Sequence, residues 1–263
     1  TEYDFHIEPA SDDKPYFSRF LKFSTIKKLS DTLGAETMPF LELGYLIVWV
    51  TLIQSTILAF VLIILPLFRL RKRSKNLLPT MLYFGALGLG YMFAEIIFIQ
   101  RFILYFGHPV YAISAVISTM MIASGAGSLF SGKLKNPVKA SGAGSFMVAV
   151  LLLIYALFFT DILTLTIDFA LYKKVFIAFF MLAIPSFFMG IPFPSGIRIL
   201  NKDHEQHIPW AWGINGCLSV IATSLATLIA VESGFRMVMF LATGLYLLAF
   251  AVFYGKNRIS EKA

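Results

Sequence analysis

The sequence predicts an all-α fold: a polytopic transmembrane helical bundle of about seven spans with an N-terminal amphipathic interfacial helix. Three observations predict it. Hydrophobic residues make up 58% of the 263 residues and charged residues 14%, with a mean hydropathy of +0.77, where a soluble domain carries roughly 25% charge. The apolar residues gather into seven runs, each near the roughly 20 residues a spanning helix needs. Lysine and arginine gather between those runs. A soluble core is excluded, because so little polar surface could not cover it.

Taken in order, residues 1–15, "TEYDFHIEPASDDKP", are polar and acidic and read as the tail of something soluble. Residues 16–33 place Phe17, Phe20, Leu21, Ile26, Leu29 and Leu33 among Arg19, Lys22, Lys27 and Lys28. That pattern suits a basic helix lying on the membrane surface. Residues 1–41 are thus the end of a soluble domain plus an interfacial helix, and 42–263 are the bundle. Its spans centre on 43–68, 80–104, 110–130, 142–160, 175–194, 211–231 and 235–254. Segment 161–174, "DILTLTIDFALYKK", is amphipathic and fits a second interfacial helix. The chain opens on Thr1 with no signal-peptide pattern, and is read as a piece of a longer or processed protein.

Orientation follows from the loops. "RLRKRSK" at 69–75 carries five basic residues; Lys133, Lys135 and Lys139 follow the third span, Arg198 and Lys202 the fifth, Lys256, Arg258 and Lys262 the seventh. If every run spans, all four segments share one side, expected to be the cytoplasm. The five basic residues of the N-terminal segment, on the other side, dissent. A net charge of +7 is explained this way, without nucleic acid, for which no basic stripe with interleaved aromatics exists. Cys217 lies alone in an apolar run, so no disulfide or cysteine-based metal site is expected.

Several motifs resolve into packing. "GSLFSGKL" at 127–134 imitates a phosphate-binding loop, but Leu134 stands where a hydroxyl should hold magnesium, and an apolar helix precedes it. "GALGLG" has the wrong spacing for a dinucleotide fingerprint. "SGAGS" occurs at 124–128 and 141–145, reading as small residues that let helices approach in lipid. His204 and His207, beside Asp203 and Glu205, read as solvated charge, not a metal site. No nucleophile, base and orienting group assemble, no catalytic residue is expected, and no cofactor or metal is called for.

The polar residues inside spans are the candidates for function. "AIPSFFMGIPFPSGIRIL" at 183–200 holds three prolines. They either end the fifth span at the interface, the simpler reading, or break it as transporters break helices at binding sites. Arg198 beside them suits an anion or a lipid headgroup. Asn215 enters the membrane after Trp210 and Trp212, a pair expected at the interface. Glu95 is the strongest signal, since an acid within a span costs several kcal/mol and should face the interior. Arg101 lies about 9 Å along the axis and some 240° around the helix from it, so the two do not pair. Expected partners of Glu95 are Asn215, Arg198 or serines of the third span; Gln100 and Arg101 complete the candidate substrate-binding set. Glu95 serves either a small amine or a proton, or a structural hydrogen bond.

The ordered motifs "IEPASDDKPYF", "GLGYMFAEIIFIQRF", "FGHPVYA", "GAGSLFSG", "MGIPFPSGIR" and "PWAWGINGCLSV" resemble the C-terminal membrane region of bacterial spermidine synthase-like integral membrane proteins, a transporter-like region fused to a spermidine synthase-like domain. The resemblance implies a multi-pass protein of the bacterial inner membrane. Its partners would be the lipid bilayer, the upstream soluble and membrane regions of the parent protein, and a small-molecule amine of the polyamine class. It implies that any aminopropyltransferase-like chemistry lies upstream of residue 1, since no such glycine-rich loop occurs here. The two functions it leaves are binding or transport of a small cation around Glu95, and a non-catalytic anchor for a methyltransferase-like domain.

Overall fold

A computed structural model describes Asp13 and residues 43–68, 77–203 and 205–260. The expected soluble tail and interfacial helix therefore lie, Asp13 apart, outside the described residues. Every described element is helical: α1 (Leu43–Ala59) passes through a π-helical stretch (Phe60–Ile64) into α2 (Leu65–Phe68), followed by α3 (Leu78–Phe106), α4 (Pro109–Lys133), α5 (Pro137–Leu165), α6 (Leu171–Met189), α7 (Pro192–Asp203), a 3₁₀ turn (Glu205–His207), α8 (Ile208–Ser233) and α9 (Phe235–Ser260). They make seven helical spans long and apolar enough to cross a bilayer, and the chain is a multi-pass membrane protein. In hydrocarbon a helix satisfies its own backbone, which is why apolar runs of this length become helices.

The sequence punctuates these helices. Gly107 ends α3 at φ +72°, and its N–H reaches the Ile103 carbonyl at 2.9 Å, a left-handed cap that glycine adopts without strain. Pro109 then opens α4, where its missing N–H costs nothing. Asn136 caps α5, its side-chain oxygen accepting from the N–H groups of Val138 and Lys139 at 3.0 and 3.1 Å. The segment 161–174 corrects the expectation of an interfacial helix: residues to Leu165 extend α5 and those from Leu171 begin α6. Its apolar residues continue the periodicity of both spans, and only a short turn separates them.

α3 is the central helix, with 61% of its spanning window buried, where the first span has 11%. It packs against α8, α9 and α4; α6 crosses α4, α5 lies along α9 and α7, and the first span leans on α8. Small residues set the close approaches. A Cβ at Gly88 would run into Asn215 and Ser219 of α8, and one at Gly90 would press on Tyr246 of α9. Leu62, Ile122, Leu129, Phe176 and many like them remain exposed on the outside, the surface that lipid covers.

Candidate functional site

The proline-rich stretch decides the site. The helix of the fifth span ends at Met189, a few residues before the 192–196 end that the simpler reading expected, and a second helix follows it directly. α6 stops at Met189, Gly190 and Ile191 carry the chain through a tight turn, and α7 continues to Asp203. Pro192 and Pro194 start the second half-helix instead of terminating the first, because a proline in a helix's first turn breaks no bond of that helix. The N–H groups of Gly190 and Ile191 fall back on Ser186, Phe187 and Phe188 carbonyls at 3.1–3.2 Å. Pro194 has no N–H to offer the Gly190 carbonyl four residues earlier.

Four neighbours hold this break. Both copies of "SGAGS" pack onto it: a Cβ at Gly127 would collide with the Phe187 carbonyl, one at Gly190 with the Ser124 carbonyl, and one at Gly144 would press on Ile191 and Pro192. Tyr83 of α3 donates its hydroxyl to the Pro192 carbonyl at 2.8 Å and exchanges a 2.6 Å hydrogen bond with Ser141 of α5. One turn above the break, Pro185 denies Met181 its helical donor, and the Tyr155 hydroxyl of α5 replaces it at 2.7 Å.

Beside the break lies a cavity of about 370 Å³. Gly190, Phe193 and Pro194 form one wall, and the polar lining comes from Tyr91, Ser124, Ser128, Asn215, Ser219 and Tyr246 of α3, α4, α8 and α9. Tyr91 borders the cavity with Ser124 and lies one turn before Glu95 on α3. Glu95 is half-buried one turn further along α3, not itself in the lining. No hydrogen bond or ion pair to it is found among the described residues.

No family model matches the chain, and no curated protein or solved structure matches it.

The expected partners of Glu95 are committed elsewhere. Asn215 donates its amide to the Phe84 carbonyl at 2.9 Å, entering the space that Gly88 leaves, and is among the residues that line the cavity. Arg198 donates to the Ser131 and Leu134 carbonyls at 2.8 and 3.1 Å, closing the C-terminal end of α4 where orphan carbonyls attract a cation. Arg101 is buried and paired with Asp13 at 2.8 Å, away from Glu95 as helix geometry requires. Gln100 is half-buried beside it on α3. Thus the structure brings Asn215 to the cavity with Glu95 near, and takes Arg198 and Arg101 to the two ends of the bundle.

His207 differs from the solvated charge expected of it: it is 2% exposed, and its Nδ1 lies 3.0 Å from the Thr80 hydroxyl. That contact joins the start of α8 to the start of α3. No cluster of three metal-ligating side chains occurs among the described residues. Tyr83, Tyr91, Tyr155 and Tyr246 were not singled out in the sequence. A tyrosine within an apolar run carries no signal until its hydroxyl is given a partner.

Proposed function

We propose that the bundle binds, and moves across the bilayer, a small cationic solute of the polyamine type. The cavity beside the broken helix would be its site. The observation that carries this reading is the chemistry of the cavity wall. Serine hydroxyls, the Asn215 amide group and tyrosine rings all suit an ammonium group. The same wall is a poor anion site, because Pro192 and Pro194 remove two of the backbone donors that a half-helix N-terminus normally offers. Transporters place substrate at helix breaks, with unwound carbonyls toward cations. Glu95, one turn from Tyr91, supplies the compensating charge. A volume near 370 Å³ falls in the range of small-molecule sites.

Within this reading the chain is the membrane region of a spermidine synthase-like integral membrane protein of the bacterial inner membrane. The basic end faces the cytoplasm, and the upstream regions of the parent protein are its partners. The test is equilibrium binding of radiolabelled putrescine to the protein in lipid nanodiscs. Gly125 lines the cavity, and a Cβ there would meet nothing within 4 Å. Gly125→Leu is therefore expected to fold and to lose binding. Unchanged binding in that variant would remove the cavity from the account.

One observation favours a second reading, a non-catalytic anchor and assembly module for an attached methyltransferase-like domain. The amide of Asn215 and the guanidinium of Arg198 both serve backbone carbonyls. In that reading putrescine does not bind the wild-type protein at all.

A further inference from the structure

Asp13 sits at the end of the bundle opposite the basic loops. Its carboxylate accepts from Arg101 Nη2 at 2.8 Å and from the Arg236 N–H at 3.0 Å, and its carbonyl accepts from the Phe235 N–H at 3.0 Å. Those two amides open α9. The side chain just before a helix ordinarily caps them, but Gly234 has none. Gly234 adopts φ +91°, and a Cβ there would collide with the Asp13 carboxylate. A residue 223 positions upstream of Arg236 thus serves as the cap, and glycine leaves it room.

The partners form a built site. Arg101 is 4% exposed, with its guanidinium 4.8 Å from the centroid of the Phe235 ring. A buried cation beside a helix N-terminus demands an anion, because either alone leaves a charge or donors unmet in a poorly solvated place. Arg101 also lines a pocket of about 330 Å³ with Tyr105, Thr160 and Thr164.

We infer that this is a carboxylate receptor and that Asp13 is its tethered occupant. Asp13 itself is held on α3 and α9 by that carboxylate. The inference is independent of what the cavity beside the break binds.

The test is chemical rescue on the full chain in nanodiscs, read as the thermal midpoint. Asp13→Ala should lower the midpoint by several degrees. Sodium formate, compared with sodium chloride at equal ionic strength, should recover at least half of that loss. Formate should leave the wild type and Asp13→Ala/Arg101→Gln unmoved. An unchanged midpoint in Asp13→Ala overturns the inference, and so does a loss that formate does not recover. Should Asp13→Ala not fold, Asp13→Asn and Arg101→Lys decide it. A double variant no less stable than the weaker single supports the receptor, and additive losses overturn it.

Discussion

The Tyr83 hydroxyl donates to the carbonyl of Pro192 at 2.8 Å and meets Ser141 at 2.6 Å, tying the central helix and α5 to the start of the second half-helix. Tyr83 is fully buried, so removing its hydroxyl takes a buried hydrogen-bond partner from Pro192 and from Ser141. Tyr83→Phe should destabilise the protein by about 1–3 kcal/mol, measured by chemical unfolding in micelles. It should also weaken putrescine binding, because the wall formed by Gly190, Phe193 and Pro194 loses its tether.

Tyr155 and Pro185 offer a sharper test, since one compensates for the other. The Tyr155 hydroxyl reaches the Met181 carbonyl at 2.7 Å, the acceptor that Pro185 cannot serve. Tyr155→Phe alone should cost on the order of 1–2 kcal/mol. In a Pro185→Ala background the restored N–H satisfies Met181, and the same change should cost far less. Equal losses in the two backgrounds, by unfolding midpoint, would mean that the tyrosine does not replace the missing donor.

The crossing of α4 and α6 depends on glycine at two positions. A Cβ at Gly127 or Gly190 meets backbone, of Phe187 and Ser124 respectively, which cannot swing aside as a side chain can. Gly127→Ala should cost about 1–3 kcal/mol, the range for overpacking. Gly132→Ala, on the same helix with nothing within 4 Å, should be neutral or slightly stabilising. Thermal midpoints of the two variants, measured side by side, check the contrast.

These residues show what could be read from the sequence. The seven spans were legible because a backbone in hydrocarbon has few options, and length with hydropathy nearly fixes them. The proline run was legible as an interruption. Its outcome was not, since the same prolines that end one helix can begin the next, and the choice rests on Tyr83, Gly127 and Gly144 from other helices. Glu95 and Asn215 were visible as polar residues in apolar runs. Tyr91 and Tyr246 were not, being aromatics among 27 phenylalanines. Arg198 sits in sequence beside the break but serves the end of α4, a relation that only the fold reveals. Asp13 gave no signal at all, because its partners lie 88 and 223 residues away.

The central claim is that the cavity holds a cation and that Glu95 supplies the opposing charge. The most direct measurement is the putrescine dissociation constant of wild type and Glu95→Gln in nanodiscs, with the thermal midpoint of each recorded alongside. The account predicts at least a tenfold weaker affinity in the variant, about 1.4 kcal/mol, with the midpoint held. An unchanged dissociation constant, or no measurable binding to the wild type, would contradict it.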